Sequence, residues 1–231
     1  MLDCGFSVRQ AEQRLARLGV LASDLSAIVV THEHQDHIAG VFKLARRYKL
    51  PVWLSFGTYQ AAIQDCKGVD LHFCRDAEVL AIGDLELTPF TVPHDAREPL
   101  QYHLTNGRLK LGVLTDTGQS TPYMIEALGG CNALMLECNH DHQLLADSSY
   151  PASLKRRIKS AFGHLSNQDS FEILSSLDQS RLLKVVGAHL SAANNTPELA
   201  KSALQKGLKN GKGEVLIACQ QDGFDWVAVS D

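Results

Sequence analysis

The sequence has no CxxC pair among its six cysteines, no basic-then-apolar leader, and no apolar run approaching the roughly 20 residues needed to span a bilayer. Each absence removes a class of protein. Thiols without paired spacing, set in apolar runs such as Leu134-Met135-Leu136-Glu137-Cys138, read as buried free cysteines of a reducing compartment and not as a disulfide framework. With no leader and no spanning segment, the expectation is a soluble, cytoplasmic protein without a membrane partner. Positive charge is not in excess either. A formal net charge of −4 gives no global pull toward nucleic acid or an anionic membrane, so a nucleic-acid substrate would need a local basic patch. Repeats, low-complexity tracts and linkers are also missing, and 231 residues suffice for one packed α/β domain, read here as spanning 1–231.

What is present is an alternation of short apolar strands with amphipathic helices. Ser7 and Gln10 form a capping-box pattern ahead of Val8, Ala11, Leu15 and Leu18, and Gly19 ends that helix. Ala27–Val30 reads as a buried strand, Ile38–Tyr48 as a helix and Pro51–Ser55 as a second strand. Leu85–Val92 is a strand. Asn106-Gly107 joins Gln101–Thr105 to Arg108–Leu114 as a hairpin. Met124–Leu128, Leu154–Phe162 and Gln168–Leu177 read as helices. Ala133–Glu137 and Leu183–Val186 read as strands. Thr196-Pro197 opens a further helix, and Glu214–Ala218 with Phe224–Val229 form a last β pair. So many strands fit two sheets with helices outside them better than one doubly wound sheet.

Between the first strand and the second helix lies Thr31-His32-Glu33-His34-Gln35-Asp36-His37. Imidazole nitrogen and carboxylate oxygen suit zinc, manganese or iron, and strand-end loops are where α/β folds build sites. Spacing by two on an extended segment turns His32 and His34 to the same side, where they can grip one ion, and Asp36 and His37 can face a second.

The H-x-H-x-D-H pattern after a strand resembles the signature of the metallo-β-lactamase superfamily, whose fold is an αββα sandwich of two mixed sheets with outer helices. Three later strand-end residues match its further motifs in order: His94 in Thr91-Val92-Pro93-His94-Asp95, Asp116 in Leu114-Thr115-Asp116-Thr117-Gly118, and His189 in Gly187-Ala188-His189-Leu190-Ser191. The resemblance implies two divalent ions, zinc or manganese. His32, His34 and His94 would hold one, and Asp36, His37 and His189 the other, with Asp116 between them. An aspartate at the Asp116 position, where the zinc β-lactamases usually place cysteine, argues against antibiotic hydrolysis.

Segments across most of the chain resemble a narrower branch, the YycJ/WalJ-like proteins, which are relatives of ribonuclease Z and phosphodiesterases described as exonucleases. They include Leu2-Asp3-Cys4-Gly5-Phe6-Ser7, Glu137-Cys138-Asn139-His140-Asp141 and Gly163-His164-Leu165-Ser166-Asn167. The implied activity is phosphodiester hydrolysis of nucleic acid or a small phosphodiester. Asp36 orients or deprotonates the attacking water, and His164, partnered by Glu137, assists the leaving group. Ser166 with Asp169 is a capping-box pattern, and helix N-termini favour anions, so Ser166 is a candidate phosphate contact. Arg156 and Arg157, within the run Lys155–Lys159, are candidate bidentate phosphate clamps. A thiolester hydrolase of the glyoxalase II kind, or a non-catalytic nucleic-acid-binding or regulatory member of the fold, would share the same ligands.

Relatives of this kind carry a segment ahead of the one corresponding to Leu2-Asp3, so the expectation is a first sheet whose N-terminal strands are missing. An unpaired edge lowers stability or promotes association, with a dimer one possible form. No β-CASP-like insertion separates Asp116 from His189.

Overall fold

The computed structural model describes residues 1–211, 213–221 and 223–229. The chain divides into two compact units: Met1–Thr91 with Ala96–Tyr102, and Val92–Asp95 with His103–Asp231. Its strands fall into two sheets.

In the first unit, helix α1 (Val8–Arg17) begins at the expected capping box. The Ser7 side chain accepts from the Gln10 amide and the Gln10 side chain accepts from the Ser7 amide. Two orphan donors are thereby satisfied at once. Gly19, at φ 71°, turns the chain out of the helix. Strands β1 (Ile28–Val29), β2 (Val52–Ser55) and β3 (Leu71–Cys74) form a three-stranded parallel sheet with Ile28 opposite Val52 and Leu54 opposite Phe73. Leu2 bridges Val29 on the other side of β1. Helices α2 (Gln35–Ile38), α3 (Val41–Tyr48) and α4 (Phe56–Ala61) complete the layer, and Ile28, Val30, Val41, Leu44, Val52 and Leu54 share its core. The expected helix from Ile38 to Tyr48 is broken at Ala39–Gly40. A Cβ on Gly40 would sit 1.9 Å from the Phe6 carbonyl oxygen, so the backbone of the N-terminal segment occupies that space. Strand β4 (Leu80–Ile82) pairs antiparallel with β5 (Leu85–Thr91). Neither β3 nor β4 was anticipated, since neither alternates cleanly between apolar and polar residues.

Strand β6 (Leu100–Thr105) runs across the boundary between the units. In the second unit the Asn106-Gly107 turn connects it to β7 (Lys110–Leu114). Gly107 takes φ 84°, and the Asn106 side chain accepts from the Arg108 and Leu109 amides. The strands β7, β8 (Ala133–Glu137), β9 (Lys184–Ala188) and β10 (Glu214–Ile217) lie parallel in the order β10-β9-β8-β7. Near-continuous apolar runs such as Leu134-Met135-Leu136 are what a parallel sheet covered on both faces requires. Helices α5 (Pro122–Leu128), α6 (His142–Asp147), α7 (Ala152–Ile158), α8 (Asn167–Ser176) and α9 (Pro197–Gly207) connect them. Thr196 caps α9 with Pro197 at its first turn, as expected.

Two expectations fail here. The second strand of the terminal β pair, Phe224–Val229, does not form; only an isolated bridge joins Cys219 to Gly223. The helix expected over Leu154–Phe162 stops at Ile158. The chain folds back so tightly that a Cβ on Gly163 would lie 2.2 Å from the Ile158 carbonyl oxygen, and the helical periodicity had been read straight through this turn. Five of the six cysteines are buried, with Cys219 exposed. No helix among the described residues is long and apolar enough to cross a membrane.

Leu134, 1% exposed in the middle of β8, sets the scale of the second unit's core. Leu134→Ala is expected to cost about 2–5 kcal/mol, read as a lower midpoint with unchanged slope in urea unfolding.

Candidate functional site

In the first unit the C-terminal end of β1 delivers Thr31 and His32, and the chain then turns into α2 with His34 at its N-cap position. Thr31 and His32 are fully buried and His37 is nearly so. The group that organises them is Asp3. Its Oδ1 accepts from the Thr31 amide at 2.8 Å, and its Oδ2 from the Thr31 hydroxyl and the His37 Nδ1, both at 2.8 Å. With its proton given to Asp3, the Thr31 hydroxyl accepts from His32 Nδ1 at 2.9 Å. Both imidazoles are thereby held in the tautomer whose lone pair is on Nε2, as in histidines that bind metals with a carboxylate behind them. The rings of His32 and His34 lie 4.5 Å apart and those of His32 and His37 4.2 Å apart. The Asp36 carboxylate, 66% exposed, has Oδ2 3.7 Å from His37 Nε2. A Cβ on Gly5 would lie 1.8 Å from the Asp36 carbonyl oxygen, so only glycine lets the two segments meet.

In the second unit the ends of β7, β8 and β9 are in register, with Leu114 opposite Leu136 and Leu136 opposite Gly187. Asp116, Glu137 and His189 therefore emerge at one sheet edge. Glu137 is fully buried. Its Oε1 accepts from His164 Nδ1 at 2.8 Å and from His189 Nδ1 at 3.0 Å, and its Oε2 from the Thr117 amide at 3.1 Å. Burial alone would raise the Glu137 pKa; the hydrogen bonds from the two histidines overcome it and hold the carboxyl below its ordinary value. For His164, burial lowers the pKa, but the Glu137 carboxylate outweighs it and the net direction is upward. His94 donates Nδ1–H to the Gly163 carbonyl at 3.1 Å, which leaves the lone pair on Nε2, 3.9 Å from Asp116 Oδ1. Asp116, Glu137, His164 and His189 offer ligand atoms within 4.8 Å of one another. His32 and His37 in the first unit, and His94, His164 and His189 in the second, each have Nδ1 engaged and Nε2 left as the ligand atom, and with the neighbouring carboxylates they are donors that fit a divalent ion of the zinc–manganese range.

Residues 1–185 match the family model described as a beta-lactamase superfamily domain. The chain belongs to the metallo-β-lactamase superfamily. Within it the chain is 36% identical to the exodeoxyribonuclease YycJ of Bacillus anthracis, over 93% of this chain and 83% of that protein. It is 34% identical to the exodeoxyribonuclease WalJ of Streptococcus pneumoniae strain D39, over 87% and 76%. These two relatives bear out the YycJ/WalJ-like branch. Among solved structures, the metallo-β-lactamase fold protein YhfI of Bacillus subtilis covers 98% of this chain and 86% of its own at a TM-score of 0.73, with 20% identity. That likeness bears on fold alone and bears out the expected architecture. The protein is a metal-dependent hydrolase of this superfamily.

For a member of the superfamily, the residues outside the ligand motifs are of most interest. Ser166 is fully buried. Its hydroxyl donates to Asp169 at 2.6 Å and accepts from the Asp169 amide, so its proton is engaged in the α8 cap. Arg156 is exposed on α7, whereas Arg157 Nε pairs with Asp95 at 2.6 Å. Lys155 donates to the Ala146 and Ser148 carbonyls and ties α7 to the end of α6. Three groups escaped the sequence reading. Asp3 entered only as part of the segment Leu2–Ser7. Glu33, inside the motif, accepts from the Thr58 hydroxyl and the Arg97 amide. Asp95 pairs with Arg157. None has a periodic or spacing signal. His72 stacks on Trp53 with ring centroids 4.5 Å apart, and His103, half-buried in β6, has a pKa lowered to about 4 by burial and then by Lys110; neither joins the site.

His140 follows β8 and forms an isolated bridge with Ser166. It is 1% exposed, and neither ring nitrogen has a hydrogen-bond partner. Burial, then the nearby His142, lowers its pKa from 6.5 to about 4. The unfolded chain therefore takes up the proton first as pH falls. The stability held by the neutral ring is complete above about pH 6.5 and is lost, by about 3 kcal/mol, on the way down to about pH 4. Urea titrations of metal-free protein should show this slope in the wild type and a shallower one in His140→Leu; equal slopes would place the acid sensitivity elsewhere. Asp3→Ala, which strips three hydrogen bonds from Thr31 and His37, is expected to lower stability by about 3 kcal/mol, with Asp3→Asn losing less.

Proposed function

We propose that the chain is a dinuclear phosphodiesterase acting on nucleic acid as an exonuclease. The observation that carries the reading is the Glu137–His164 pair, a buried carboxylate holding a proton on an imidazole that is 23% exposed. The leaving group of a phosphodiester departs as an alkoxide, which needs a proton, and a histidine whose pKa is raised by a buried carboxylate is suited to supply it. The names of the YycJ and WalJ relatives support a deoxyribonucleic acid substrate.

In this reading His32, His34 and His94 would hold one ion and Asp36, His37 and His189 the other, with Asp116 available to both, as the superfamily resemblance implies. Bound zinc or manganese supplies Lewis acidity toward the phosphoryl oxygens and a nucleophile at neutral pH. The protein's own contribution is orientation and proton transfer. Asp36 turns the attacking water toward phosphorus and draws on its proton. His164 donates to the leaving oxygen, and Glu137 keeps its ring aligned. Arg157, anchored through Nε by Asp95, offers the terminal donors of its guanidinium to a flanking phosphate, with exposed Arg156 beside it.

The test compares leaving groups. His164→Ala should lower kcat on single-stranded DNA by about 100-fold or more. On bis-p-nitrophenyl phosphate, whose leaving group departs without a proton, the loss should be much smaller. Equal losses on both substrates would remove His164 as the proton donor. Turnover of S-lactoylglutathione with no turnover of either phosphodiester would replace the reading with a thiolester hydrolase.

A further inference from the structure

The first unit carries a cluster of three aromatic rings, two of them exposed, that the ligand motifs do not account for. Phe56 opens α4 at the end of β2, Tyr59 follows on the same helix, and Phe73 lies in β3. The ring centroids are 5.6 Å apart for Phe56 and Phe73, 5.4 Å for Tyr59 and Phe73, and 5.8 Å for Phe56 and Tyr59. Tyr59 packs against the core, but Phe56 is 52% exposed and Phe73 45%. Two phenylalanines held edge to face and half in water lose burial energy without a folding reason for their place.

Their location in the sheet is informative. In a parallel sheet all C-terminal strand ends lie along one edge, and that edge is where ligands bind. The β1 end delivers His32–His37, the β2 end delivers Phe56, and the β3 end carries Phe73 with exposed Arg75 just beyond. Glu33 ties the two parts together, accepting from Thr58 on α4 with one oxygen and from the Arg97 amide with the other. The same α4 turn is clamped by Glu98, which accepts from the Gly57 amide at 2.6 Å, so the exposed Arg97 is held against the helix that carries Phe56. The cluster is thus fixed to the histidine loop and flanked by two cations.

We propose that Phe56, Tyr59 and Phe73 form a platform on which the unpaired bases of a single-stranded DNA end stack as its backbone enters the metal site, with Arg75 and Arg97 facing its phosphates. This rests on the nuclease reading above. Stacking suits this chain in particular. With a net charge of −4 it cannot collect a polyanion by its overall field, whereas base–aromatic stacking works without net charge and tolerates any base.

The experiment measures binding of a fluorescein-labelled, nuclease-resistant phosphorothioate oligo-dT by fluorescence anisotropy, using full-length, metal-loaded protein. Phe56→Ala and Phe73→Ala should each weaken binding by about tenfold, the loss should persist at raised salt, and Phe56→Trp should restore binding. Leu21→Ala, which truncates another exposed apolar residue, should bind as the wild type does. On cleavable single-stranded DNA the two alanine variants should show their loss in KM more than in kcat. The proposal is overturned if both alanine variants bind like the wild type, which would assign the patch to a protein partner, or if the wild type does not bind the oligonucleotide. If the variants lose binding while the wild type degrades no DNA, the platform stands and the nuclease reading falls.

Discussion

The second unit depends on one buried charge. A carboxylate with no access to water is costly by many kcal/mol unless its lone pairs are met by good donors. Glu137 is met by the Nδ1–H groups of His164 and His189 and by the backbone amides of Thr117 and Leu165, the last at 3.4 Å. Those donors come from the loop after β7, the loop before α8 and the end of β9. A single side chain thus draws together three segments far apart in sequence. Two further consequences follow from the same geometry. Both histidines must keep a proton on Nδ1, so both present Nε2 outward as a ligand or, once protonated, an acid. The neighbouring Asp116 lies against the same pair, with Oδ1 3.5 Å from His164 Nδ1 and 3.4 Å from His189 Nδ1.

Asp3 performs the corresponding task in the first unit by a less direct route. It reaches His37 itself but reaches His32 only through the Thr31 hydroxyl, which donates to the carboxylate and accepts from the ring. The threonine before the first histidine therefore does more than end a strand. A valine there would preserve shape and strand preference yet leave His32 free to take the other tautomer. Setting carboxylates behind imidazoles is the usual means of fixing ring orientation and raising ligand basicity, and both units use it.

The parts of this arrangement that could be read from the chain are those encoded locally. The capping boxes at Ser7 and Ser166, the Asn106-Gly107 turn and the Thr196-Pro197 helix start each depend on residues within a few positions of one another, and each appears where expected. The histidine cluster and the three strand-end motifs were legible for the same reason, since strand and loop alternate in fixed order. What escaped is non-local. Asp3 meets His37 across 34 residues and Arg157 meets Asp95 across 62. At Ser166 the same local pattern marks a helix cap and an anion site, and in the structure the buried hydroxyl gives its proton to Asp169. The expected strand over Phe224–Val229 was apolar enough in composition, but β propensity expresses packing against neighbours, and here only Cys219–Gly223 pairs.

One backbone feature recurs in both units. Among the described residues, five that are not glycine adopt positive φ, and three of them are Asp3, Asp116 and His189, at 53°, 52° and 56°. Left-handed conformations cost most non-glycine residues about 1 kcal/mol or more and persist where the surroundings over-determine them. Asparagine, aspartate and histidine tolerate the region better than branched residues do, so the chemistry needed and the conformation needed coincide. A strand that continued past Leu114 or Ala188 in extended geometry would point successive side chains to opposite faces. A single left-handed residue at the strand end instead turns the side chain back over the sheet edge while the main chain departs. That is how β7 and β9 each place a polar group beside Glu137 of β8: Asp116 is the second and His189 the first residue beyond its strand, while Glu137 is the last paired residue of its own.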